Sequence, residues 1–154
     1  SASAVSRQMA ALFLRKQQKP TIAIFDGDQA KKERDNIWHA QNMLETKNNS
    51  FEEWFKGRIS YIPGATWPES WLCSKALEYL NEISQRMRCD EEELSRIIEY
   101  GLQAGKHNEF HEIAKQTGLE KLLCIQHFSS VIGEREPNLF EHIENAINNL
   151  FEEN

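Results

Sequence analysis

The sequence is poor in cysteine, and the cysteines it has do not form a recognisable motif. Its 154 residues include only Cys73, Cys89 and Cys124, an odd number at wide spacing with no C-x-x-C pair. Such spacing indicates neither a disulfide framework nor a zinc site. We therefore expect a reducing compartment, and specifically the cytoplasm.

Long apolar runs are also missing. No stretch of the sequence approaches the roughly 20 apolar residues that a membrane-spanning helix needs. The N-terminus shows no charged segment followed by an apolar one, as a secretory leader would. We therefore expect no membrane association.

Positive charge is in short supply as well. Lysine and arginine together number 18 against 24 aspartates and glutamates, which gives a net charge of -6. Affinity for duplex DNA comes largely from lysine and arginine neutralising phosphates. A free-standing nucleic-acid binder is therefore disfavoured, and contact with phosphates would need a cation or another domain.

The glycine motifs of several enzyme classes are absent too. The sequence contains no G-x-x-x-x-G-K-[ST], no G-x-G-x-x-G and no G-x-S-x-G. Nucleotide hydrolysis, dinucleotide redox chemistry and serine hydrolysis therefore have no local support in this chain.

What is present in the first half is an alternation of helical and strand patterns. Apolar residues at helical spacing predict a helix from Val5 to Gln18 that ends before Pro20. The apolar run from Thr21 to Phe25 predicts a central strand buried on both faces. The further expected elements are a charged helix from Gln29 to about Lys47, a short turn from Phe51 to Phe55 and a strand from Arg58 to Ile62.

The second half is predicted to be helical throughout. Thr66 with Glu69 three residues later predicts a capping box that opens a helix reaching about Met87. Asp90 with Glu93 repeats the pattern for a helix to about Ala104.

Three glycines and one proline set the expected ends of the remaining helices. Gly105, Gly118 and Gly133 are predicted helix C-termini. Glu136-Pro137 is predicted to open the last helix. Its apolar stripe comprises Leu139, Phe140, Ile143, Ile147, Leu150 and Phe151.

Two strands are too few for a self-sufficient parallel sheet. A parallel pair needs a crossover and cover on both faces, and a two-stranded sheet alone is marginal. We therefore predict an α/β fold with a partial parallel sheet over residues 5–72 and a helical region over residues 73–154. The missing strands would come from misassigned segments or from outside this chain.

The chemically distinctive feature is the pair Asp26 and Asp28 at the end of the first predicted strand. Side chains at i and i+2 of a strand share a side, about 7 Å apart at the backbone, and Gly27 leaves room between them. Two neighbouring carboxylates repel each other unless they share a proton or bind a cation, and hard oxygen ligands favour Mg²⁺ or Mn²⁺. Alternatively, Asp28 caps a helix starting at Gln29 while Asp26 faces solvent.

These residues resemble the Toprim domain. The resemblance lies in the strand Thr21–Phe25 ending in Asp26-Gly27-Asp28, followed by a helix and by the segment Ile59-Ser60-Tyr61-Ile62-Pro63-Gly64, which leads into an acidic helix start. Within that superfamily the sequence is most similar to the C-terminal half of the ATP-dependent endonucleases of the overcoming-lysogenization-defect family. The resemblance covers roughly residues 5 to 72.

The resemblance implies a metal-dependent nuclease that cleaves DNA, with Asp26 and Asp28 as catalytic metal ligands for Mg²⁺ or Mn²⁺. It also implies an ATPase domain or subunit as partner and a place in phage defence or repair, while self-association is left open. Members of the family carry a further glutamate after an earlier strand, which has no counterpart here. Glu69 is a candidate additional ligand, although its predicted capping role explains it equally well.

Two other functions remain open. A phosphotransfer enzyme of the haloacid-dehalogenase kind also begins with an apolar strand and D-x-D, but it continues with glycine and threonine where this chain has Gln29 and Ala30. A non-catalytic assembly or regulatory fragment would use the aspartates only as turn and cap residues.

Overall fold

A computed structural model describes residues 1–16, 20–44 and 49–152 of the chain. The described residues are mostly helical and include one parallel sheet of two strands. The chain divides into two compact units, one of Ser1–Ala65 with Phe140–Asn154 and one of Thr66–Leu139. The division therefore falls after residue 65, where the sequence suggested residue 72, and the last helix groups with the first unit.

The order of elements in the first unit follows the predicted alternation of helices and strands. In chain order, the elements of the whole protein are α1 (Ala2–Leu14), β1 (Ala23–Phe25), α2 (Glu33–Met43), α3 (Asn49–Lys56), β2 (Ile59–Tyr61), α4 (Pro68–Ala76), α5 (Leu80–Met87), α6 (Glu91–Ala104), α7 (Glu109–Thr117), α8 (Lys121–Arg135) and α9 (Glu141–Glu152). Short 3₁₀ helices at Gly27–Lys32 and Leu77–Tyr79 precede α2 and α5.

The two strands run parallel, with Ala23 opposite Ile59 and Phe25 opposite Tyr61. The Ala23 amide donates to the Arg58 carbonyl at 2.8 Å, and the Ile62 amide donates to the Phe25 carbonyl at 2.8 Å. The chain crosses from one strand to the other through α2 and α3, as a parallel pair requires. The carboxyl ends of both strands therefore lie at the same end of the sheet.

The expectation that β1 is buried on both faces is wrong. Ala23 and Phe25 are buried, but Ile24 between them is 44% exposed. Alternate side chains of a strand point to opposite faces, and the aromatic core covers only the face of Phe25, whose ring lies 6.5 Å from that of Phe55. The uncovered face is that of Ile24.

Helix α3 occupies the segment for which the sequence suggested only a short turn. Phe51 and Phe55 are four residues apart on one helix face, and both are fully buried. Their rings lie 5.5 Å apart, and Phe13 of α1 meets Phe51 at 5.2 Å in a T-shaped arrangement. Burial of this aromatic face explains why the segment forms a full helix.

In the second unit the helical prediction is confirmed, and two of the three glycine stops are correct. Helix α6 ends at Gly105 and α7 at Gly118, both with positive φ. At the start of α6, the Asp90 side chain accepts the Glu93 amide at 2.9 Å, as the capping pattern predicted. Gly133 instead lies inside α8, where the neighbouring Val131 and Ile132 continue the buried face of that helix.

Several predicted helix ends are wrong. Helix α1 ends at Leu14, with residues 17–19 outside the described part of the chain. Residues 68–87 form two α-helices joined by a 3₁₀ turn, and the first has Trp67 as its N-cap residue without a side-chain cap bond. The predicted Thr66 capping box is therefore not formed. The last helix begins at Glu141, because residues 137–140 form a turn.

The stripe predicted for the last helix is only partly buried. Ile143 and Leu150 are buried, whereas Phe140 and Phe151 are exposed. None of the helices within the described residues has the length and apolar character needed to cross a membrane.

Candidate functional site

The Asp-Gly-Asp segment lies directly after β1, at the carboxyl end of the sheet. Asp26 is extended, with φ -60° and ψ 149°, and its backbone carbonyl accepts the Gln29 amide at 2.9 Å. That bond turns the chain into the 3₁₀ helix Gly27–Lys32. Asp26 therefore marks the end of the strand, and Asp28 lies inside the 3₁₀ helix.

Asp28 lies outside the strand, so the predicted reason for both carboxylates to share one side, their i and i+2 positions in a strand, does not apply. Strand alternation no longer fixes the direction of the Asp28 side chain, because β1 ends at Phe25. Covalent geometry still holds the two Cα atoms within about 7 Å of each other. The pair therefore remains together in space through its spacing in the chain.

Gly27 brings the end of β1 against the end of β2. A Cβ atom at Gly27 would lie 2.2 Å from the Gly64 carbonyl oxygen and 2.8 Å from the Ile62 carbonyl oxygen. Both neighbours are backbone atoms, which cannot swing away as a flexible side chain would. Only glycine allows this close approach, which fixes the two aspartates against the loop that follows β2.

The carboxylates of the pair differ in their surroundings. The Asp28 carboxylate accepts the Gln29 side-chain amide at 2.8 Å and lies 3.5 Å from the Lys32 ammonium. The Asp26 carboxylate has no hydrogen bond or ion pair with any other residue in the described part of the chain. Neither aspartate side chain makes a helix-cap bond, so the capping alternative is not supported.

A second set of contacts links α2 and α9 to the same end of β2. The Tyr61 hydroxyl donates to a Glu33 carboxylate oxygen at 3.2 Å, and His142 Nε2 donates to the Tyr61 backbone carbonyl at 2.8 Å. Burial, together with the charge of Glu33 and the bond to it, raises the pKa of Tyr61 to about 12. Tyr61 therefore stays protonated and serves as a donor at neutral pH.

Glu69, the third predicted ligand, belongs to the second unit, whereas Asp26 and Asp28 belong to the first. Its carboxylate lies 3.0 Å from His107 Nδ1. Burial alone would raise the pKa of Glu69, but the hydrogen bond from His107, a backbone bond and the charges of His107 and Lys121 outweigh it. The pKa of Glu69 therefore lies below its ordinary value.

The residues around Glu69 form a linked group that sequence reasoning did not find. The His107 ring packs 5.6 Å from that of Trp67, whose indole donates to the fully buried Glu109. The other Glu109 oxygen is buried with no partner among the described residues. His107 lies in the segment before α7, with φ 66°.

Of the three predicted ligands, Asp26 and Asp28 lie two residues apart in the first unit, and Glu69 belongs to the second unit. No group of three or more histidine, cysteine, aspartate and glutamate side chains in the described ranges is placed to hold a metal ion. Gly64 and Lys32 are the contacts that the sequence missed. The Pro63-Gly64 turn after the second strand was the signal available for Gly64. The i, i+4 spacing of Asp28 and Lys32 was the signal available for Lys32.

Comparison with known proteins identifies no relative. No family model, no curated protein and no solved structure matches the chain.

Proposed function

We propose that this chain is the metal-binding part of a Toprim-like, metal-dependent nuclease that acts on DNA. Asp26 and Asp28 are its catalytic metal ligands, and an ATPase domain or subunit of the same system is its partner. The observation that carries the proposal is the placement of Asp-Gly-Asp at the carboxyl end of a parallel strand. In open α/β sheets, ligands bind in the crevice at this end.

The donor set suits a hard divalent cation. Mg²⁺ is commonly held by one or two carboxylates and keeps several waters, with substrate phosphate completing its shell. Among the described residues, the Asp26 carboxylate has no partner, and the Asp28 carboxylate has only a hydrogen bond from Gln29 and an ion pair with Lys32. A metal ion bound to them would polarise a phosphodiester and lower the pKa of its bound water.

Two observations support the proposal that this chain acts with a partner: its negative net charge, and the presence of only two acidic ligands in the Asp26–Asp28 segment where the family uses a further glutamate. A chain of charge -6 repels DNA unless cations or another domain offset that charge. The further glutamate that the family uses would be supplied outside the Asp26–Asp28 segment. The proposed setting is a DNA-cleaving defence or repair system in which the ATPase is a separate part.

The experiment is calorimetric titration of Mg²⁺ and of Mn²⁺ into the parent protein and into Asp26→Asn/Asp28→Asn. We expect binding to the parent and at least a tenfold loss of affinity in the variant, about 1.4 kcal/mol or more. A plasmid-cleavage assay with the same proteins and metal ions tests the activity itself.

A matched control removes the same charge elsewhere in the first unit. Asp35 and Glu53 are exposed carboxylates on α2 and α3, so Asp35→Asn/Glu53→Gln should bind the cations as the parent does. If both double variants lose affinity equally, the binding is general attraction to an acidic surface. Absence of cation binding to the parent would contradict the proposed site.

The ion pair between Asp28 and Lys32 favours a second candidate function. In that case the aspartates shape the turn after β1, and the chain is a non-catalytic assembly or regulatory fragment. The haloacid-dehalogenase alternative gains no such support, because a 3₁₀ helix occupies the positions of the small-residue loop. Failure of the parent to bind cations, with an intact fold, would favour the assembly fragment.

A further inference from the structure

Trp38 of α2 is exposed to solvent, although a tryptophan ring has a large apolar surface to bury. The side chain is 57% exposed, and its one ring contact among the described residues is with the adjacent His39, at 5.1 Å between ring centroids. Its indole N–H makes no hydrogen bond within the same residues. Because tryptophan is enriched where proteins contact partners, this side chain marks a candidate contact surface.

The exposed face of α2 places polar groups on either side of Trp38. Arg34 lies one helical turn before the ring and Asn42 one turn after it, and both side chains are exposed. The opposite face of the helix packs into the core through the buried residues Asn36, Ile37 and Ala40. A flat apolar ring between a guanidinium and an amide suits an occupant that has planar faces and polar or charged groups between them.

The exposed charges next to this face are mostly positive. Lys31, Lys32 and Arg34 are all exposed. Asp35 is the exposed acid beside them. Lys32 pairs with Asp28, whereas Lys31 and Arg34 have no ion pair within the described part of the chain. These two cations therefore favour an anionic occupant.

The charge of the whole chain is divided unevenly along the sequence. Residues 1–65 contain 10 lysines and arginines against 7 aspartates and glutamates, whereas residues 66–154 contain 8 against 17. The net charge of -6 therefore comes from the second unit and from α9. The part of the chain that carries Trp38 and the aspartate pair has an excess of cations, as contact with a polyanion requires.

We propose that the exposed face of α2 binds single-stranded DNA, with one base stacked on Trp38 and the flanking phosphates contacted by Arg34 and Lys31. Stacking on an aromatic ring combined with cations along the backbone is how proteins hold single strands without reading their sequence. The bases of a duplex stack on one another and cannot reach the ring, so Trp38 selects unpaired nucleotides. The inference rests on the proposed nuclease function and names unpaired DNA as its substrate.

The stacking residue and the aspartate pair lie in one continuous segment of the first unit. Asp28 is in the 3₁₀ helix Gly27–Lys32, and Trp38 follows in α2. With rises of about 2.0 Å per residue in a 3₁₀ helix and about 1.5 Å in an α-helix, the Cα atoms of Asp28 and Trp38 are at most about 18 Å apart. A strand held at Trp38 can therefore extend to the carboxyl end of β1.

The first test is fluorescence anisotropy of a labelled oligothymidine with the full chain, in EDTA and at about 50 mM salt, where phosphate contacts are strong. The same strand with abasic sites and the same strand in a duplex are the comparison ligands. We expect the parent to bind oligothymidine more tightly than either. Trp38→Ala should weaken binding to oligothymidine at least about fivefold, the lower end of base–aromatic stacking, and leave binding to the abasic strand unchanged.

Two further variants serve as controls for the stacking residue. Trp38→Phe keeps an aromatic face and should retain most of the affinity. Tyr100 is an exposed aromatic residue of α6 in the second unit, so Tyr100→Ala should bind as the parent does. Because the measurement contains no divalent cation, Asp26→Asn/Asp28→Asn should bind oligothymidine at least as tightly as the parent. Failure of the metal site therefore leaves this result unaffected.

The second test concerns the two cations. Lys31→Gln/Arg34→Gln should lower affinity for both the normal and the abasic strand. It should also reduce the slope of log affinity against log salt concentration by about 1.4, or about 0.7 for each lost phosphate contact on a single strand. Trp38→Ala should leave that slope unchanged.

Three results would overturn the proposal. The first is a parent that binds none of the strands, and the second is an equal effect of Trp38→Ala on the normal and abasic strands. The third is unchanged DNA affinity of Trp38→Ala together with loss of a dimer that the parent forms in sedimentation velocity, which would assign Trp38 to contact between copies of the chain.

Discussion

Gly27 is the residue that holds the two aspartates in place. The space that a Cβ atom of residue 27 would need is occupied by backbone, because the Gly64 carbonyl oxygen lies 2.2 Å from the position of that atom. The φ of Gly27 is not in the positive range, so the requirement is for space rather than for an unusual backbone conformation. Any larger residue must push the loop after β1 away from the loop after β2.

The first prediction is that Gly27→Ala destabilises the protein by about 1–3 kcal/mol, the cost of overpacking a tight contact. Urea unfolding followed by tryptophan fluorescence measures it. Gly133→Ala is the matched control, since a Cβ there meets nothing within 4 Å inside helix α8. That change should stabilise by about 0.5–1 kcal/mol through helix propensity. Equal stability of Gly27→Ala and the parent would refute the close contact.

At the scale of single residues, the sequence predicted which side chains form the candidate site better than it predicted what those side chains contact. An apolar strand followed by Asp26 and Asp28 was visible, because both features are local in the chain. The contact between Gly27 and Gly64 joins residues 37 positions apart in the numbering, and no local pattern reports it. The ion pair between Asp28 and Lys32 could have been predicted from their i, i+4 spacing. That prediction requires a helical turn at Asp28, whereas the predicted same-side placement of the aspartates requires the strand to continue to that residue.

Among the elements, α4 shows how tertiary contacts override a local signal. Thr66 and Glu69 have the spacing of a capping box, yet Glu69 pairs with His107 and Trp67 takes the N-cap position. At the start of α6 the same pattern is realised by Asp90 and Glu93. The two cases differ because a partner from the loop before α7 is available to Glu69.

The second prediction concerns the pH dependence of this pair. The folded pKa of Glu69 lies below its unfolded value, so its contribution is present above the unfolded pKa of about 4.3 and is lost as pH falls through the folded pKa. Glu69→Gln should therefore lower the unfolding temperature at about pH 5.5, above the unfolded pKa of the carboxyl group, where its contribution to stability is present. The difference from the parent should shrink towards pH 3.

The control for this comparison is Glu92→Gln. Glu92 is an exposed carboxylate in the first turn of α6, and its side chain has no ion pair among the described residues. Thermal unfolding of the three proteins from about pH 6 to about pH 3 gives the answer. If Glu69→Gln and Glu92→Gln show the same pH profile, the pair with His107 does not stabilise the fold.

Strand and helix types were largely predictable, whereas their lengths and partners were not. Hydrophobic periodicity identified both strands and the helical second half. It missed α3, since eight residues rich in aromatic side chains fit a turn or a short helix equally well until Phe51 and Phe55 are seen to be buried together. It also overestimated the cover on β1, because burial of the second face depends on what lies beyond the element.

At the scale of the whole molecule, the chain consists of a small α/β unit and an all-helical unit. The α/β unit has a two-stranded sheet whose carboxyl end holds the aspartate pair and whose β1 edge is free of other described strands. The central claim is that the segment Asp26–Asp28 binds a divalent cation.

The most direct test of that claim is a Mn²⁺ titration followed by amide NMR of the parent protein, because a paramagnetic ion broadens the signals of nearby amides. We predict that the signals of residues 26–29 and of Gly64 disappear first, at substoichiometric Mn²⁺, and that they persist in Asp26→Asn/Asp28→Asn. Broadening that begins at other acidic residues, with the signals of residues 26–29 unchanged, would contradict the proposed metal site.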